Sequence, residues 1–322
     1  MKNVVLRAML MVSVAAPSTA AFSQEFPTGP IRLIVGFSPG GATDLITRAV
    51  ARGLTDILGQ PIVVENVPGG RGTLALKKTI EAPPDGHTLM MITSNEPVQA
   101  VLNPNLPYKL ERDLTPISQV AIGAYVLSVH PSMKAKNAAE LVAYARANPG
   151  KLTYGSPGIG SGQHMAGELF KSMAQVDILH VPYKGGGEVM NALVAGQIDM
   201  TFGALPPSLP FIKADRVKAL AVTSRNRTSS LPDVPTLDAT GVPGYDRAGW
   251  FALTAPKGLT RALTDQLNDA VAKALRSQEV KEALNAQGLD PQPSTPDELA
   301  AFIRRELEQI SKLAELAQIK VD

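Results

Sequence analysis

The stretch Ile31-Arg32-Leu33-Ile34-Val35-Gly36-Phe37-Ser38-Pro39-Gly40-Gly41-Ala42-Thr43-Asp44 decides the fold class. It opens with an apolar run of strand length, passes through turn formers, and reaches Thr43 or Asp44, either of which can open a helix. Ile46, Val50, Leu54 and Ile57 then recur at helical spacing, and residues 62–65 form a second strand-like run. Together these make a βαβ unit. Strand-like runs follow at 88–93, 124–129, 152–155, 198–202 and 218–223, with helical patterns between most of them. Such alternation predicts an α/β protein built on open, mainly parallel sheets with helices on both faces.

A chain of 322 residues exceeds the usual size of one domain, so two lobes are expected. Residues 116–129 lack helical spacing and can run from one lobe into the next near Tyr125. The turn-rich stretch 224–235 suggests a return near Thr223, before a strand at 250–253 and a helix over 260–274. This reading assigns 24–124 and 224–322 to the first lobe and 125–223 to the second. Residues 298–317 read as a terminal amphipathic helix, with Leu299, Phe302, Ile303, Leu307, Ile310 and Leu313 on its apolar side.

The first residues have the pattern of an export signal. Lys2 and Arg7 supply positive charge, residues 9–16 an apolar stretch, and Ala21-Phe22-Ser23 a cleavage site before Gln24. Removing 1–23 leaves 29 basic against 29 acidic residues, so the mature chain is formally neutral. There is no later apolar run of roughly 18 residues to span a bilayer. The chain has no cysteine, which rules out disulfides, thiolate metal sites and a lipid-modified cysteine at the cleavage site. No cluster of lysine and arginine marks a nucleic-acid surface. The expected compartment is the periplasm, with a small-molecule or protein partner and a monomer as the default.

In an α/β sheet the loop after the first strand is where ligands bind. Phe37, Ser38, Gly40, Gly41, Thr43 and Asp44 are therefore candidate binding residues, with glycine backbone and free helix N–H groups suited to a carboxylate. An ordinary turn with a capped helix is the competing reading. The same loop matches a Gly-x-Ser-x-Gly nucleophile elbow at Ser38. However, the next residue is Pro39, which has no N–H to offer an oxyanion, so hydrolase chemistry is disfavoured. A second glycine-rich loop, Tyr154-Gly155-Ser156-Pro157-Gly158-Ile159-Gly160-Ser161-Gly162-Gln163-His164, repeats the anion logic and contributes Ser156, Gly158, Gly160, Ser161 and His164. It lacks the lysine of a phosphate-binding loop and the glycine spacing of a dinucleotide site, so no nucleotide cofactor is expected.

Ser94, Asn95, Tyr183, Gly203 and Ala204 lie at strand ends or turns that can line a cleft. Capping by Ser94 and Asn95 and packing of the Tyr183 ring are the alternatives. Lys184 reads as a solvated charge and Trp250 as core. The scattered histidines and carboxylates fit no catalytic metal motif.

Ordered along the chain, these segments resemble the solute-binding proteins of tripartite tricarboxylate transporters, also called the Bug family. The resemblance is carried by Pro30 to Val35 leading into Phe37 and Gly40 to Asp44, then by Gly59-Gln60-Pro61-Ile62-Val63-Val64-Glu65-Asn66 and Pro84-Asp85-Gly86-His87-Thr88-Leu89. It continues in Asn148-Pro149-Gly150-Lys151-Leu152-Thr153-Tyr154-Gly155-Ser156, His180-Val181-Pro182-Tyr183-Lys184-Gly185 and Leu231-Pro232-Asp233-Val234-Pro235-Thr236. It implies a two-lobed, type II-like periplasmic-binding-protein fold with the ligand cleft between the lobes. It also implies a small carboxylate held by both glycine-containing loops, partly through bridging waters, and delivery to a large and a small transmembrane subunit. Two departures stand out: Gly36 where proline often stands, and Gly203 where many relatives present aspartate. A sensor protein delivering its signal to a receptor would use the same cleft.

Overall fold

The computed structural model describes residues 26–40, 42–317 and 319; the expected export segment and Gly41 lie outside them. The strands are β1 (Ile31–Val35), β2 (Ile62–Asn66), β3 (Thr88–Thr93), β4 (Leu114–Val129), β5 (Thr153–Ser156), β6 (Leu179–Pro182), β7 (Met200–Ala204), β8 (Lys218–Val222), β9 (Ala248–Pro256) and β10 (Asp290–Pro291). The helices are α1 (Ala42–Leu58), α2 (Thr73–Ile80), α3 (Asn95–Leu102), α4 (Leu110–Asp113), α5 (Ala138–Ala147), α6 (Gly162–Ala174), α7 (Gly186–Val194), α8 (Leu205–Lys213), α9 (Leu237–Thr240), α10 (Arg261–Arg276), α11 (Gln278–Ala286) and α12 (Pro296–Leu316).

The strands follow the order β2-β1-β3-β9-β4-β7-β5-β6, with β8 and β10 also paired to β4. The outer strands are parallel, β1 with β2 and β3, and β5 with β6 and β7. The long strands that link the two halves run antiparallel to their neighbours, β9 against β3 and β4, and β4 against β7 and β8. Each half is therefore a mixed sheet where a mainly parallel one was predicted. A strand that leaves one sheet to enter another has no βα crossover to return it in the parallel sense.

β4 changes partners between Ala124, opposite Ala248 of β9, and Tyr125, opposite Ala204 of β7. Thr223 binds both backbone groups of Tyr125, its Oγ1 accepting from the Tyr125 N–H and its own N–H donating to the Tyr125 carbonyl. Its carbonyl in turn accepts from the Arg247 N–H. The partner change of β4 meets the end of β8 and the start of β9 here. The return predicted at residue 224 differs from the structure: Leu237, Val242 and Tyr245 join the core built on α5 and α6, and pairing with the first sheet resumes only at Ala248. The turn-rich composition of 224–235 marked a loop, but apolar residues beyond it still pack on the second half.

Helices cover both faces of each sheet because the central strands are apolar on both. Every residue of β3 is buried, and α1, α10 and α11 close one side while α2 and α12 close the other. α12 begins with a capping box in which Thr295 and Glu298 satisfy each other's backbone. Its Ile310 and Leu313 meet Val98 of α3 and Met165 of α6, an apolar cluster joining the two halves.

Candidate functional site: the cleft between the halves

The loop after β1 is fixed from its flanks. Asn66, at the end of β2, donates from Nδ2 to the Phe37 carbonyl at 3.0 Å and to Asp44 Oδ1 at 2.9 Å. Asp44 Oδ2 accepts the Gly40 N–H at 2.9 Å and Arg48 Nε at 3.0 Å. Burial raises the Asp44 carboxyl, but the bonds from Arg48, Gly40 and Asn66 outweigh it and hold the group below the usual carboxylate range. Gly36 is required by proximity, since a Cβ there would stand 2.8 Å from the Gly72 Cα.

The second loop, between β5 and α6, is held from beneath. The Ser156 hydroxyl lies 2.7 Å from His180 Nε2 and accepts the Gly158 N–H. Ser161 caps α6 by accepting the His164 N–H, and the Gly160 N–H donates to His164 Nδ1. Burial depresses both imidazoles, His180 to about 4 with His164 adding to the effect. Both rings are neutral at pH 7. Gly160 then meets Leu102 and Gln99 of α3 across the cleft.

The two loops face one another over a cleft with two chambers that share Asn95 and Gln163. The outer chamber, about 550 Å³, takes Phe37 and Ser38 from the first loop and Gly158, Gly160 and Ser161 from the second. The inner chamber, about 200 Å³, reaches the crossing strands and is lined by Thr43, Ser94, Tyr125 and Ala204 among others.

Several candidates do not face either chamber. Gly40 and Asp44 are spent within the first loop, and Ser156 and His164 lie under the second. Tyr183 packs beneath Gly155, and Gly203 faces Ser208 and Met190. All are one layer back, supporting residues where lining ones were predicted; Gly41 lies outside the described residues.

Other lining residues escaped the sequence reading. Gln163 and Lys184 stood in quoted stretches, but nothing local showed that they reach the outer chamber, Lys184 while remaining exposed. Trp250 is core and still presents an edge to the inner chamber. Leu289 arrives from far along the chain and has no local signal at all.

Ser38 lines the outer chamber, yet each histidine is hydrogen-bonded elsewhere: His87 to Thr28, His130 to Ser132, His164 to Gly160 and His180 to Ser156. Among the described residues no histidine is hydrogen-bonded to Ser38, as the base of a nucleophile elbow would be.

A family model described as tripartite tricarboxylate transporter family receptor matches residues 46–318. The chain belongs to this receptor family. The receptor is 36% identical over 298 residues to the protein BugT of Bordetella pertussis, covering 92% of this chain and 90% of BugT. Among solved structures it is similar to Rpa4515 of R. palustris with adipate, at TM-score 0.79 and 34% identity over 92% of this chain and 99% of that one. It is also similar to MatC of Rhodopseudomonas palustris with bound malate, at TM-score 0.74 and 30% identity over 89% and 99% of the two chains. The family resemblance and the two-lobed α/β binding-protein fold both hold for this receptor.

Proposed function

We propose that the receptor captures a small carboxylate between its two halves in the periplasm and hands it to a transporter with a large and a small membrane subunit. The observation that carries this reading is the convergence of Ser161, the Gly158 and Gly160 backbone and the side chains of Asn95 and Gln163 on one cleft whose mouth holds Lys184. The Ser161 hydroxyl and the Asn95 and Gln163 amides can donate, the Gly158 and Gly160 N–H groups being engaged by Ser156 and His164, and among the described residues Lys184 is the one formal charge that lines the outer chamber. Such a set suits an anion with bridging waters. The adipate and malate named with two related structures support the same ligand class.

Both halves contribute donors, so a ligand touching both favours the closed arrangement by its differential affinity for it. The strand ends at Tyr125, Thr223 and Arg247 are where the chain can bend. No cofactor enters the reading, and the receptor acts as a monomer.

The test is a thermal-shift screen of purified mature protein, verified ligand-free, against carboxylic acids and their matched amides. Stabilisation by an acid and none by its amide supports capture of the carboxylate. Equal response to both, or to neither across mono-, di- and tricarboxylates, overturns it.

A further inference from the structure

The inner chamber separates from the outer one by its chemistry. Its described lining contains no lysine, arginine, histidine, aspartate or glutamate. Ile46, Leu205, Trp250, Phe251 and Leu289 form its apolar walls. Of its polar groups, the Thr93 hydroxyl donates to Glu96, and the Ser94 and Tyr125 hydroxyls lie 3.5 Å apart, facing one another. Asn95 and Gln163 stand at the junction with the outer chamber, beside the loops that would hold the first carboxylate.

We infer that this receptor selects monocarboxylates carrying an uncharged, apolar tail of about phenyl size, with the carboxylate at the junction and the tail in the inner chamber. The inference rests on the carboxylate-capture reading and decides what it leaves open. A second carboxylate on the ligand would be driven among Leu205, Leu289 and Trp250 with no cation in the described lining to meet it. Burying an unpaired charge in such surroundings is heavily unfavourable, whereas burying a methylene chain or ring there is favourable. The size also fits. An apolar cavity of about 150 Å³ accommodates benzene, and the inner chamber offers about 200 Å³.

The experiment compares ligands by calorimetry on the ligand-free mature protein: hexanoate against adipate, which share a six-carbon chain, and phenylacetate against malate. Hexanoate is expected to bind at least roughly tenfold more tightly than adipate, from which it differs only in lacking the second carboxylate, and phenylacetate to bind more tightly than malate. Equal or tighter binding of adipate or malate overturns the inference and leaves carboxylate capture standing. Binding of none of the four, with no acid active in the wider screen, sinks both. A second arm uses Ala204→Lys, which places a cation at a half-buried position on the chamber wall. It should move preference toward adipate. An unchanged ranking in a folded Ala204→Lys protein counts against the tail occupying this chamber.

Discussion

The Ser156 hydroxyl and His180 Nε2 lie 2.7 Å apart beneath the glycine-rich loop, and the same hydroxyl accepts the Gly158 N–H. A half-buried imidazole thus sets the position of a loop whose outer surface faces the cleft. With His180 depressed from 6.5 to about 4, the unfolded chain binds a proton across that interval and the folded one does not. The stabilising contribution is complete above pH 6.5 and is lost as pH falls toward 4. Melting temperature followed from pH 7.5 to 4.5 should drop more steeply in the wild type than in His180→Asn, which keeps a donor and does not titrate. Parallel curves would show that His180 does not carry the effect.

Glu96 works in the opposite sense. Burial pushes its carboxyl up from 4.5 to about 7 against the bonds from Thr93, and its Oε1 has no partner among the described residues. The folded protein therefore holds a proton between those values that the unfolded chain releases, and stability declines as pH rises through the window. Glu96→Gln should gain on the wild type in melting temperature between pH 5 and pH 8. A constant difference across that range would contradict the assignment.

Arg247 Nη1 donates to Glu306 Oε2 at 2.9 Å, and Trp250 Nε1 donates to the same oxygen at 3.0 Å. This buried pair ties the chain at the crossing to the terminal helix α12. Glu306→Ala strands the guanidinium, whose Nε and Nη2 already lack partners among the described residues, and should cost about 3–5 kcal/mol in denaturant unfolding. Replacing both partners together, Arg247→Met with Glu306→Leu, should recover most of that loss. If the double variant is no better than the single one, the penalty lies in packing and not in the unpaired charge.

Gly162 opens α6 where a Cβ would stand 2.0 Å from the Tyr125 hydroxyl and 3.6 Å from Ser94 Oγ. Gly162→Ala must push the helix start away from the crossing strand and disturb the inner chamber together with the adjoining end of the second loop, leaving the loop after β1 untouched. Affinity for the preferred carboxylate should fall roughly tenfold or more while the protein stays folded, because overpacking forces neighbouring side chains and backbone to move. Unchanged affinity by calorimetry would place the ligand away from this end of the cleft.

The sequence showed the alternation of strands and helices because periodicity is a local property: Ile31 to Val35, the helical spacing after Thr43 and the apolar stripe of α12 were all legible. The two glycine-rich loops were legible for the same reason. Local pattern did not reveal which loop residues face the ligand. Asp44 and Ser156 have the right chemistry, yet Asn66 and His180 engage them from strands elsewhere in the chain.

By itself, then, the sequence determined an α/β chain of a recognisable binding-protein family with two anion-suited loops. The tertiary structure alone decided that β4 and β9 cross antiparallel, that Leu237, Val242 and Tyr245 pack into the core of the second half, and that the inner chamber is walled by Leu205, Trp250 and Leu289. The reason is physical. Hydrogen-bond periodicity and turn chemistry act between near neighbours, whereas sheet order and the charge of a cleft arise from residues brought together across hundreds of positions by burial of apolar surface.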